Sequence, residues 1–171
     1  PADYEGRPVV ASTAVTEALR PHVDRASARA TQPLGVTLPS RVRRNFRSES
    51  ALGQLLADLM RSGASRVLGN SVDLAVQNGG GVRNDLPAGA LTYTSLFEVM
   101  PFDNRLAIVR LTGSQLRELF RRNAVAGHGI LVPSGIRVLA QCNGATLDVQ
   151  IQRDNGEPLE IKATIARLET A

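Results

Sequence analysis

Gln77-Asn78-Gly79-Gly80-Gly81-Val82-Arg83 is the stretch whose residue types and spacing best suit chemistry. Three glycines allow positive φ and let a ligand approach the backbone closely. Asn78 offers an amide donor and acceptor at the mouth of the loop. Arg83 offers a fork for a phosphate, a carboxylate or a ribose hydroxyl. No Gly-Lys-Ser/Thr follows, so this is not a nucleoside-triphosphate loop. Asn84 stands where a dinucleotide fingerprint needs its third glycine. By itself the stretch reads as an unassigned ligand loop; the alternative is a tight structural turn.

Two further groups stand beside it. In Met100-Pro101-Phe102-Asp103-Asn104, Pro101 stiffens a turn and Phe102 at its tip can stack on a base or a sugar. The alternative is a core phenylalanine. The run Arg41-Val42-Arg43-Arg44-Asn45-Phe46-Arg47-Ser48-Glu49 leads basic residues into a helix start, where anions are favoured. The alternative is a solvated basic loop. Arg117, Arg121 and Arg122 beside Glu118 read as an exposed helix face. His128 reads as an exposed loop residue and Cys142 as a half-buried spectator.

Several chemistries are excluded. His22 and His128 are the only histidines and Cys142 the only cysteine. A disulfide framework and a cysteine metal site are therefore ruled out, and so is a metal centre needing several histidines. Asp73, Asp103 and Asp148 are scattered and form no carboxylate pair. No catalytic residue and no metal ligand is expected in the chain.

The elements that must position these groups follow from periodicity. Residues 8–29 read as a helix that Pro21 kinks or ends. Leu34–Leu38 reads as a strand closed by Pro39. Ser48 or Ser50 caps a helix with the stripe Leu52, Leu55, Leu56, Leu59 and Met60, ended by Gly63. Val72–Val76 is a buried strand running into the glycines. A short helix spans Thr92–Met100, a strand Leu106–Leu111, and Thr112-Gly113-Ser114-Gln115 opens a helix to about Asn123. Gly129–Ala140, Ala145–Arg153 and Leu159–Leu168 read as three strands, joined by turns at Asn143-Gly144 and Asp154-Asn155-Gly156. The fold class expected is α+β: a mixed sheet flanked by helices, with a C-terminal antiparallel meander.

Composition sets the outer bounds. The chain has 171 residues, 43% hydrophobic and 21% charged. That suits one domain with a real core. No apolar run is long enough to span a membrane. The first residues carry no basic stretch followed by an apolar one, so no export leader is read there. The net charge is +4, and Lys162 is the one lysine among 20 basic residues. The arginines are scattered and their one dense cluster is short, which argues against a nucleic-acid partner.

Together and in order, the segments resemble the C-terminal domain of the 5′-nucleotidase family. Arg47–Asp58 is similar to that domain's opening helix, and Asn78–Arg83 to its glycine loop. Thr94–Asn104 resembles its helix and Pro-Phe turn, Leu111–Leu116 its Leu-Thr-Gly helix start, and Pro133–Arg137 its Ser-Gly strand. The likeness covers roughly residues 8–165. It implies that residues 1–171 are one substrate-binding domain of a two-domain, exported enzyme, periplasmic or at the cell surface. A covalently linked N-terminal metallophosphoesterase domain, absent from this chain, would hold two divalent metals and hydrolyse the phosphate ester. This domain would bind a nucleotide or nucleoside and position it. Arg47, Asn78, Arg83 and Phe102 are the substrate contacts the resemblance implies, with Phe102 on the base.

Two departures stand out. Phe46 takes the place where the family usually has an arginine, three residues before Glu49, and Arg47 is assigned that role. The family's Gly-Gly-Asp-Gly segment, which brings a second stacking aromatic, is not read within residues 1–171, which stop about where the strand leading into it should run. These departures leave open a module that keeps the fold and binds without serving catalysis.

Overall fold

The computed structural model describes residues 3–127, 129–157 and 163–169. Helix α1 spans Thr13–Ala30 and strand β1 spans Pro33–Leu38. Helix α2, Ala51–Leu68, leads into β2, Leu74–Asn78, and a 3-10 turn at Gly79–Gly81. Strand β3, Gly89–Thr92, is followed by α3, Tyr93–Val99, then β4, Arg105–Leu111, and α4, Gly113–Ala126. The chain continues as β5, Leu131–Ser134, β6, Ile136–Asn143, β7, Thr146–Arg153, and β8, Ala163–Glu169.

The central sheet is mixed, in the order β4-β8-β2-β5. Strand β8 runs parallel to β2 and antiparallel to β4, and β5 runs antiparallel to β2. Two small sheets, β1-β3 and β6-β7, stand beside it. The α+β class with a mixed sheet is as expected. The meander is only two strands wide. Strands β6 and β7 form the hairpin over Asn143-Gly144, but β8 leaves it and fills the gap between β4 and β2. The second turn does form, with the Arg153 N–H donating to the Glu157 carbonyl at 2.7 Å. A turn signal reports where the chain reverses, not which strand it pairs with next. The expected strand Gly129–Ala140 is likewise two strands. It breaks at Gly135, whose φ is 89°, and the halves join different sheets.

Two helix ends differ from expectation. Helix α1 continues through Pro21, since a proline removes one backbone bond and the turns on either side persist. Its apolar residues Val15, Leu19 and Val23 are exposed. The helix is held at its C-terminal end, where Thr94 Oγ1 donates to the Ala30 carbonyl at 2.9 Å and Arg29 sits over the Tyr93 ring. Helix α2 runs past Gly63 to the left-handed Gly69. A mid-helix glycine costs about 1 kcal/mol relative to alanine, and the helix continues through it with Ala57 and Ala64 buried on either side. Ser50 caps the start, accepting from the Gly53 N–H at 3.0 Å. The buried face of α2 is Leu52, Gly53, Ala57 and Ala64, whereas Leu55 and Leu59 of the expected stripe are exposed. Small residues bring α2 close to the sheet: a Cβ on Gly53 would stand 3.1 Å from Val132 Cγ2.

Two cores result. Leu74, Val76, Leu116, Phe120, Ile136, Val149 and Ile151 pack between the sheet, α4 and the hairpin. Leu52, Val82, Leu86, Leu91 and Val99 pack under the glycine turn. The expected capping box of α4 is present: Gln115 N–H donates to Thr112 Oγ1 at 3.2 Å, and Thr112 N–H to Gln115 Oε1 at 2.8 Å.

Candidate functional site

Strand β2 is buried from Leu74 to Gln77 and delivers Asn78 to the surface. The 3-10 turn that follows is pinned at both ends. Gly79 N–H donates to the Ile130 carbonyl at 2.8 Å, and Arg83 N–H to the Val99 carbonyl at 2.8 Å. None of Gly79, Gly80 and Gly81 has a positive φ, so the expected need for left-handed backbone does not account for them. Close approach does. A Cβ on Gly79 would stand 3.2, 3.3 and 3.5 Å from the carbonyl oxygens of Ile130, Phe46 and Asn45. One on Gly81 would stand 3.0 Å from Asn78 Oδ1 and 3.1 Å from Gln77 Nε2. One on Gly80 would stand 3.3 Å from Phe46 Cε2. Gln77 is fully buried beneath the turn, and its Nε2 donates to the Asn78 carbonyl at 2.9 Å.

Arg83 is exposed. Its Nη1 donates to the Gly80 carbonyl at 3.3 Å, and its guanidinium carbon lies 5.3 Å from the centre of the Phe102 ring. That is cation–π range. Phe102 stands in the turn between α3 and β4 and is 43% exposed, so it is not a core residue. Asn78, Arg83 and Phe102 therefore gather round one turn. Arg47 does not join them. It is exposed and lines a cleft of about 470 Å³ with Asn123, Ala124, Gly127, Gly129 and Ile130.

Much of the basic loop is partnered. Asp85 carries it: Arg41 Nε lies 3.2 Å from its carboxylate, and Arg44 N–H donates to it at 2.8 Å. Arg44 Nη1 donates to the Val82 carbonyl at 3.2 Å, and Val42 and Leu86 exchange both backbone hydrogen bonds. Asp85, two residues beyond Arg83, carried no sequence signal for this role. Arg121 and Arg122 chelate Glu118 on an exposed helix face, as expected. Hydrogen bonds from those two guanidinium groups hold the Glu118 carboxyl down at about 2. Its contribution to helix stability is therefore present above the ordinary carboxylate range and is lost as pH falls toward 2.

Asn123, near the end of α4, is a positioning residue that periodicity alone could not single out. Its Nδ2 donates to the Gly129 carbonyl at 2.8 Å, and its Oδ1 accepts from Leu131 N–H at 2.9 Å. Ile130 between them accepts from Gly79 and donates to the Phe46 carbonyl at 3.1 Å. One amide thus holds the segment that holds the glycine turn. Asn123→Ala is expected to cost about 2 kcal/mol through two lost hydrogen bonds. In calorimetry that is a Tm roughly 4–8 °C lower; an unchanged Tm would dismiss the clamp.

Among the described residues, no group of three or more His, Cys, Asp or Glu is arranged to hold a metal ion. No described helix is long and apolar enough to cross a membrane. His128 lies outside the described residues.

Comparison with known proteins gives the following. The model of the family described as 5′-nucleotidase, C-terminal domain, matches residues 26–164. The chain is 32% identical over 121 residues to a trifunctional nucleotide phosphoesterase protein of Bacillus subtilis, covering 66% of this chain and 8% of that protein. It is 36% identical over 76 residues to a cell wall protein of Listeria monocytogenes, covering 41% of this chain and 10% of that protein. The crystal structure of a 5′-nucleotidase precursor from Thermus thermophilus superposes with a TM-score of 0.70 at 26% identity, over 90% of this chain and 32% of that one. The chain thus spans about a tenth of these curated relatives and a third of the solved one.

Proposed function

The chain belongs to the 5′-nucleotidase C-terminal domain family, and we propose that residues 1–171 form the nucleoside-binding domain of a longer phosphohydrolase. The observation that carries this reading is the Arg83 guanidinium poised over Phe102 and joined to the glycine turn through the Gly80 carbonyl. A half-exposed ring gives a flat ligand a surface to stack on. A fork beside it reaches the ligand's sugar hydroxyls or phosphate. Asn78, at the exposed end of β2, supplies an amide to the sugar. Arg47 meets the ligand's anionic end from the neighbouring cleft.

Hydrolysis is assigned to a linked N-terminal metallophosphoesterase domain that would hold two divalent metals. This domain contributes proximity: it fixes the phosphate ester where that chemistry happens. A periplasmic or cell-surface location is part of the proposal, supported by the name of the Listeria relative.

The test is calorimetric binding of adenosine and AMP to this chain, with Phe102→Ala and Arg83→Ala beside it. Loss of base stacking is expected to weaken binding on the order of tenfold. Arg83→Ala should weaken AMP more than adenosine. At about a hundred times its Kd, ligand should stabilise the chain by about 2.7 kcal/mol. Adenosine and AMP binding that survives both substitutions would remove the site from the glycine turn and Phe102; tight binding of a partner that survives both would favour a module that keeps the fold without serving catalysis.

A further inference from the structure

Phe46 is a half-exposed ring in an otherwise polar run, flanked by the exposed Arg44, Asn45, Arg47 and Ser48. Its exposure is 38%. The covered part of the ring lies on two glycines. Cε2 is 3.3 Å from where a Cβ on Gly80 would stand, and 2.7 Å from the corresponding point on Gly129. Its own carbonyl accepts from Ile130 N–H at 3.1 Å, so backbone and ring are both located. Gly80 is also the residue whose carbonyl takes the Arg83 hydrogen bond, and Arg83 lies over Phe102. The two rings, 38% and 43% exposed, are therefore linked through one glycine and one arginine. An exposed aromatic surface gains nothing from water, and it gains from a flat ligand on the loop.

We propose that Phe46 is a specificity-determining residue of this same site: a second planar surface, at the glycine turn, that selects ligands carrying a flat ring system over sugar phosphates lacking one. This rests on the nucleoside reading above and assigns it a contact outside Asn78, Arg83 and Phe102. Arg47, next in sequence, lines the cleft bordered by Gly129. The ring thus stands between that cleft and the glycine turn, where a ligand spanning both would lie against it.

The experiment is calorimetric titration of the full chain with adenosine, AMP and ribose 5-phosphate, using Phe46→Leu, Phe46→Tyr and Phe102→Ala. Leucine keeps apolar cover over Gly80 and Gly129 and removes the ring; tyrosine keeps the ring. The expected result is adenosine and AMP binding weaker on the order of tenfold in Phe46→Leu and near normal in Phe46→Tyr. Ribose 5-phosphate binding and Tm should change little. If Phe102→Ala loses adenosine while Phe46→Leu binds it normally, the nucleoside site stands and Phe46 is only a peg under the loop, which overturns the proposal. If Phe46→Leu loses ribose 5-phosphate as strongly as adenosine, the ring has no selective role and the proposal fails. If the unaltered chain binds neither adenosine nor AMP, both readings fall together.

Discussion

Gly135→Ala is expected to lower Tm by about 10 °C, from a loss of roughly 2–5 kcal/mol. Gly135 stands between Ser134 of β5 and Ile136 of β6 with φ at 89°, and a side chain there costs about 1–2 kcal/mol in backbone strain. A Cβ would also fall on the Asp73 carbonyl oxygen and on Arg61 Nη1. Arg61 can move, but the Asp73 carbonyl immediately precedes β2, the strand paired on both sides. The neighbouring Ser134 is fixed too, since its hydroxyl donates to Asp58 of α2. Forcing a methyl into so constrained a place adds about 1–3 kcal/mol. Gly69→Ala separates the two contributions. Its φ is 66° and nothing lies within 4 Å of the added carbon, so only strain of about 1–2 kcal/mol applies. Differential scanning calorimetry of both variants decides the matter. Equal losses would show that the close approach at Gly135 is not there.

The same residue shows why part of the fold was hidden. Gly129–Ala140 reads as one strand because alternation survives across Gly135. The break is a φ value, and a lone glycine does not announce its sign. The departure of β8 from the expected meander was hidden for a different reason: its partners, β2 and β4, lie far back in the chain. Strand β3 was missed because four residues, with only Leu91 buried, carry too little alternation. What depends on neighbours along the chain was legible. The Ser50 cap of α2, the capping box of α4, the end of α3 before Pro101 and the hairpin at Asn143-Gly144 are all where local chemistry puts them.

The candidate site divides along the same line. The glycine turn and Phe102 were visible as residue types in turns, and the fold brings Asn78, Arg83 and Phe102 to one place. The glycines are not there for a left-handed backbone; they admit neighbouring carbonyls and the Phe46 ring. Asp85 and Asn123 were silent because their partners lie on segments distant in sequence. Nothing short of the fold pairs Asp85 with Arg41 and Arg44, or Asn123 with Gly129 and Leu131.

Gly129→Ala should reveal how far the site depends on that packing. At φ 88° the alanine is strained by about 1–2 kcal/mol. Its methyl would also stand 2.7, 2.9 and 3.1 Å from Cε2, Cζ and Cδ2 of Phe46. Evicting the ring adds about 1–2 kcal/mol, for a loss of roughly 3 kcal/mol and a Tm lower by about 9 °C. Gly127→Ala is the matched control, with φ at 65° and nothing within 4 Å, so only the strain should appear. In a Phe46→Ala background the steric part has nothing to act on. The double variant should therefore be less damaged than the sum of the single ones, by about 1–2 kcal/mol. Additivity within error would mean the ring does not rest on Gly129. The same eviction takes the ring off Gly80, which lies two residues from Asn78 and accepts the Arg83 hydrogen bond. If Phe46 contacts the base, Gly129→Ala should weaken adenosine binding although Gly129 has no side chain to offer. Gly127→Ala, two residues away on the same loop, should leave that binding unchanged.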